Sequence, residues 1–135
     1  MPTPEPTKPP RREISYNEFP QDDETVDACA SVYWAECNTD DEKLAVTQLI
    51  ANRAAHGAPF ADTIKDCALQ GHEFNRGRIS DRNRELARVN LNKVQTQAGG
   101  DYAGITVPTT ALYMRREGRT LVLLDENYDE VWRDK

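Results

Sequence analysis

Apolar positions recur at helical spacing through the first two thirds of the chain and turn strand-like only near its end. Val26, Cys29, Ala30, Tyr33 and Cys37 follow the i, i+3, i+4, i+7, i+11 rule. That spacing predicts a helix from about Glu24 to Cys37 with one narrow apolar stripe. Glu36 falls on the flank of the stripe, where a cleft-lining side chain belongs. Thr39-Asp40-Asp41-Glu42 then reads as a capping box, with acids suited to the positive end of a helix. The second helix runs to about His56 and closes on Gly57. Its Leu44, Ala45, Val46, Leu49, Ile50 and Ala54 cover most of the circumference, the pattern of a central helix. Arg53 falls among them, so its charge must be paired or reach the rim.

Pro59-Phe60 restarts the chain, and a short helix from Ala61 or Asp62 to about Gln70 follows. Gly71 to Gly77 is a loop bracketed by glycines. Ser80 caps a longer helix to about Ala98, whose stripe of Ala87, Leu91, Val94 and Ala98 is narrow enough for a surface helix. After Gly99-Gly100 the period changes. Thr110 to Arg116 and Thr120 to Leu124, joined by Glu117-Gly118-Arg119, read as a hairpin, and Tyr128 to Trp132 adds a final strand or turn.

Composition divides the chain in two. Of eight prolines, six lie in the first twenty residues. A run such as Pro-Thr-Pro-Glu-Pro fixes φ and removes backbone donors, so residues 1–20 read as an extended arm. Residues 21–135 are then one domain. No apolar run approaches the roughly 18–20 residues of a membrane span. The N-terminus has no basic-then-apolar leader pattern, so synthesis in the cytoplasm without a signal peptide is expected. Three cysteines, Cys29, Cys37 and Cys67, lack metal-ligand spacing and read as small buried residues, with a Cys37–Cys67 bridge as the alternative.

The net charge of -6 argues against nucleic-acid binding. It is unevenly spread: residues 21–45 hold eight acids and one lysine, whereas residues 76–93 carry a local +4. The basic stretch reads as a solvated face, with an anion- or partner-facing surface as the other reading. His56 and His72 have no second ligand at metal spacing, so neither a metal nor another cofactor is expected.

Four blocks occur in one order: Val32-Tyr33-Trp34-Ala35-Glu36; Leu44-Ala45-Val46 with Ile50-Ala51-Asn52-Arg53; Pro59-Phe60-Ala61-Asp62-Thr63-Ile64 with Gln70-Gly71-His72-Glu73-Phe74; and Pro108-Thr109-Thr110-Ala111-Leu112-Tyr113. Over about residues 30–115 this resembles the SleB/CwlJ-type cell-wall hydrolases, spore-cortex-lytic and phage enzymes with a lytic-transglycosylase-like fold. The resemblance implies an α+β, lysozyme-like fold with a mainly helical core and a small C-terminal antiparallel sheet. It implies peptidoglycan glycan strands as the substrate, and action at the bacterial cell wall or within a virion. Departures are specific. The segment between Glu36 and Leu44 is shorter than in the family, and Glu73 stands where the family has glutamine. Val107 replaces an aspartate before the proline, and a Gly-Gly-Ala-Thr-His block is reduced to Thr110-Ala111-Leu112-Tyr113.

Cleaving a β-1,4 bond between sugars needs a proton on the leaving oxygen, which a partly buried carboxylic acid supplies. The resemblance makes Glu36 that acid. A lytic transglycosylase needs only one, because the sugar's own 6-hydroxyl is the nucleophile. A hydrolase usually needs a second carboxylate, for which Glu73 is the first candidate and Asp40 and Asp41 stand behind it. Tyr33, Phe74, Asn75, Thr110 and Tyr113 would bind substrate, with Phe74 and Asn75 on one wall of a groove and Tyr113 on the other. A different class stays open: a non-catalytic virion or assembly component on a degenerate hydrolase fold, docking on protein partners through residues 1–20. The acidic charge and the lost glycine-histidine block favour that alternative. A third reading is a regulatory module binding acidic partners through residues 76–93.

Overall fold

Capping side chains set where the helices begin. Asp22 accepts from the Thr25 amide at 2.9 Å and opens α1, Asp23–Glu36. Thr39 accepts from Glu42 at 3.1 Å and opens α2, Asp40–His56. Thr63 does the same for Asp66 at 3.1 Å, opening α3, Ile64–Leu69. Ser80 caps Asn83 at 3.1 Å and opens α4, Asp81–Thr96. Each bond satisfies a first-turn amide that has no intrahelical acceptor. In this computed structural model, residues 22–70, 74–96, 100–102 and 104–134 are described. The arm of residues 1–20, His72, Glu73 and Ala98 lie outside that set.

The chain is α+β, with helices first and small antiparallel sheets in the C-terminal part. Strands β1, Asp101–Tyr102, and β2, Ile105–Thr106, form a short hairpin that the apolar pattern did not signal. Strands β3, Tyr113–Glu117, β4, Thr120–Leu124, and β5, Glu130–Arg133, form a second sheet in that order. The hairpin strand starts at Tyr113 rather than Thr110, because Thr109 and Thr110 form a turn. Tyr128 lies in the turn before β5, outside the final strand that the sequence suggested.

Helix α1 packs on α3 and α4, and α2 packs on the same two helices. Its apolar surface is wider than one stripe: Thr25, Ala28, Ser31 and Val32 are buried along with Val26, Cys29, Ala30 and Tyr33. Covered from two sides, α1 exposes Asp23 and Glu24 in its first turn and Trp34 and Ala35 near its C-terminal end. Helix α2 is buried nearly all round, as its composition requires. Residues Leu121, Val122, Leu123 and Leu124 of β4 are all buried, the continuous apolar run of a strand covered on both faces. Val122 pairs with Arg115 and Arg133 on the same face. They flank it on the two neighbouring strands, and their guanidinium groups bind Glu117 and Glu130 at 2.7–3.2 Å.

The charge imbalance is resolved between helices. Arg84 bonds Asp27 at 2.8 Å, Arg82 bonds Asp40 at 3.2 Å and Arg88 bonds Asp23 at 3.4 Å. Arg82, Arg84 and Arg88 on α4 thus answer the acidic 21–45 segment. The three cysteines are free; Cys29 and Cys67 are buried, while Cys37 is half-buried. Among the described residues, no helix is long and apolar enough to cross a membrane.

Candidate functional site

Glu36 is the last residue of α1 and is half-buried. Its Oε1 accepts the Asn75 backbone N–H at 3.1 Å. Its carbonyl accepts from Arg116 Nη2, which also pairs with buried Glu42 at 2.7 Å. The capping box is modified accordingly: Glu42 reaches the Asn38 amide at 3.0 Å, one residue before the cap. Arg116 of β3 therefore locks the end of α1 to the start of α2, which fixes the backbone that carries Glu36.

Residues 74–78 run back along α1. The Gly77 N–H donates to the Ser31 carbonyl at 3.0 Å, and the Ser31 hydroxyl donates to the Gly77 carbonyl at 2.9 Å. A Cβ on Gly77 would fall 2.5 Å from Trp34 Cδ1, so only glycine leaves room for that indole. Trp34 itself is 52% exposed, and the Arg78 guanidinium lies 5.7 Å from its ring.

Deeper in, Arg53 of α2 is 3% exposed. Its Nε donates to the Leu112 carbonyl at 2.6 Å. Its guanidinium faces the rings of Phe74 at 4.7 Å, Phe60 at 4.8 Å and Tyr113 at 5.5 Å. Planar, weakly hydrated and permanently charged, a guanidinium suits such an aromatic cage better than an ammonium does. Tyr113 stacks in turn on Tyr128, with centroids 4.7 Å apart. Tyr128 is exposed and holds φ at 65°, in the left-handed region that side chains rarely adopt. The Asp125 side chain accepts the Asn127 and Asp129 amides at 2.9 and 3.0 Å and shapes that turn.

A polar network on α2 holds the segment between the sheets. Tyr102 donates to Gln48, Gln48 donates to Asn52 at 2.9 Å, and Asn52 donates to the carbonyls of Pro108 at 3.0 Å and Ala111 at 2.9 Å. Gly100 permits the closest approach: its φ is 74°, and a Cβ there would meet the Val107 carbonyl oxygen at 1.8 Å.

These placements bring Glu36 and Asn75 together by a hydrogen bond, and Phe74 and Tyr113 together around Arg53. Tyr33 is fully buried, with its hydroxyl bonded to Thr47 and to Asn90 at 3.1 Å, so it links α1, α2 and α4 and has no open face. Phe74 is 4% exposed, and the guanidinium takes one face of its ring. Asn75 and Thr110 are exposed and Tyr113 is half-buried. Asp40 is engaged by Arg82 and Lys43, and Asp41 is exposed. Glu73 lies outside the described residues. Sequence reasoning passed over Trp34, Phe60 and Tyr128. For Trp34 the signal was present, an indole on a helix whose partner loop carries Gly77; for Tyr128 it was not, because its stack depends on a turn and on a distant strand.

Thiol chemistry is disfavoured. Burial pushes Cys29 up to about 12 and raises Cys37 further, and burial also pushes Cys67 up to about 12 against the opposing pull of Arg53. Among the described residues, no group of three or more His, Cys, Asp or Glu is placed to hold a metal ion. A separate open depression of about 430 Å³ lies between Asn38, Thr39, Arg119, Thr120 and Asp134, with Glu42 at its floor. No family model, no curated protein and no solved structure matches the chain.

Proposed function

We propose that this chain cleaves peptidoglycan glycan strands on a lysozyme-like scaffold, with Glu36 as general acid and then general base. The observation that carries this reading is the 3.1 Å hydrogen bond from the Asn75 amide to Glu36 Oε1. It joins the one half-buried acid at the open end of α1 to the Phe74–Asn75 segment, and through Arg53 to Tyr113. The Asn75 amide occupies Oε1, which leaves Oε2 as the oxygen from which a proton would be given.

In the cleavage step Glu36 gives that proton to the glycosidic oxygen as the C1–O bond breaks. The 6-hydroxyl of the same sugar attacks C1 and returns its proton to Glu36. The product has a 1,6-anhydro end and no water is consumed, so one carboxyl group suffices. Hydrolysis at the same bond would call on a second carboxylate, with Glu73 the first candidate. The enzyme would act at the bacterial wall or from within a virion.

Glu36→Gln tests the assignment, because glutamine keeps the Oε1 acceptor for Asn75 and loses the proton. Release of muropeptides from purified wall should fall by about 10²–10⁴-fold at unchanged melting temperature. Mass spectrometry of the wild-type products should show ends lighter by one water than hydrolysed ends. An undiminished Glu36→Gln protein overturns the assignment.

The same hydrogen bond also favours a second reading, in which Glu36 only clasps residues 74–78 and the protein is a non-catalytic virion or assembly component. In that case the wild type releases nothing, and it co-purifies with a larger particle through residues 1–20.

A further inference from the structure

We infer that Trp34, seated on Gly77 and flanked by Arg78, is a binding platform for a carboxylate-bearing saccharide beside Glu36. The ligand class rests on the glycan-cleavage reading, and the test below separates the two.

The platform is built rather than accidental. Trp34 is half-exposed although it is large and apolar, and its ring occupies the space that a Gly77 side chain would take. Gly77 is tied to Ser31 through both its N–H and its carbonyl, so the seat is fixed. A rigid indole face suits the apolar C–H face of a pyranose, as aromatic walls do in small-ligand sites.

Charge selects the ligand further. Arg82, Arg84 and Arg88 are each spent on an aspartate. Arg76 and Arg78, on the loop that carries the seat, have no ion pair among the described residues. In a chain of net charge -6 this is a local site for an anion. The Arg78 guanidinium stands over one face of the indole, 5.7 Å from its centroid, so a sugar would pack on the remaining exposed part of the ring while the guanidinium takes the carboxylate in a bidentate pair.

Position connects the platform to the acid. Trp34 meets Gly77, and Glu36 bonds Asn75, two residues earlier. Two residues of chain span at most about 7 Å. Trp34 and Glu36 thus contact the same short segment, Asn75 to Gly77, and one extended saccharide lying along it would reach both.

The chain has two tryptophans, so Trp132→Phe leaves Trp34 as the sole indole reporter. Titrations in a Trp132→Phe, Glu36→Gln protein would use three probes. They are chitotetraose, which is neutral; the N-acetylglucosamine–N-acetylmuramic acid disaccharide with its free lactyl carboxylate; and the same disaccharide carrying its stem peptide. Trp34 emission should change with the carboxylate probes. A response to the free lactyl acid alone assigns the carboxylate to the sugar, and a response to the peptide form assigns it to the stem. Arg78→Gln should weaken the responding carboxylate probe about tenfold or more, leave chitotetraose unchanged, and be rescued by Arg78→Lys. Gly77→Ala should displace the ring and weaken every probe at unchanged circular dichroism. No change in Trp34 emission, or equal affinities in Arg78→Gln and the parent, overturns the platform. Loss of wall cleavage in Glu36→Gln without any Trp34 response would remove the platform and leave the cleavage reading. A charge-selective Trp34 response with cleavage intact in Glu36→Gln would do the reverse.

Discussion

Arg53 shows how much one side chain can organise. A charge that is 3% exposed persists only where hydrogen bonds and aromatic faces replace water. Arg53→Met would leave the Leu112 carbonyl without its donor and the three-ring cage without its centre. The expected loss is about 1–3 kcal/mol, read as a lower urea midpoint. Arg53→Lys keeps the charge but not the planar fork, and should cost less. A methionine variant as stable as the parent would mean that the rings pack well without the cation. The cysteines give a second test at this scale. Cys29 and Cys67 are buried with thiols pushed up to about 12. A thiol-specific reagent at mildly alkaline pH should label them only as fast as the protein opens, and immediate labelling of the folded protein would contradict that burial.

Elements were legible in proportion to how locally they are determined. Asp22, Thr39, Thr63 and Ser80 each cap an amide three residues ahead, and that information sits inside one helical turn. The starts of α1, α2 and α4 were therefore readable to within a residue, whereas α3 begins at Ile64, two or three residues after the Asp62 or Ala61 that the sequence suggested. The short β1–β2 hairpin was not, because two-residue strands carry no period and depend on Tyr102 reaching Gln48. The candidate site divides in the same way. Glu36 could be placed on a flank from periodicity, whereas its Asn75 partner and the rings around Arg53 come from separate segments that no spacing rule connects. Asn52 is where helix and sheet regions meet. Asn52→Ala removes the donors to Pro108 and Ala111 and should cost about 2–3 kcal/mol. Amide exchange at Val107 and Leu112 should accelerate more than in α4; uniform acceleration would show that Asn52 acts on global stability instead.

At the scale of the whole molecule, electrostatics are arranged as acidic and basic segments facing one another. Thr25 holds Asp22 below its ordinary value of 3.8, while Arg115 and Arg133 hold Glu117, and Arg133 holds Glu130, below 4.5. Carboxyls depressed by folding bind protons more readily in the unfolded chain. Their contribution is complete above those ordinary values and is lost as pH falls through the lower folded ones. Melting temperature should therefore be level at neutral pH and decline below about 4.5. All three groups are exposed, so the decline should be shallow and should flatten further at high salt. A decline that begins near pH 7 would point to other groups.

The polar side chains buried along α2 have one more consequence, for the order in which the protein can be made. Glu42, Gln48, Asn52 and Arg53 find partners at Arg116, Tyr102, Pro108, Ala111 and Leu112, all of them translated after every helix. A nascent chain that has emerged only through α4 holds a central helix whose polar groups still need water. Closure of the helical core then waits for residues 102–116, which leave the ribosome after α4.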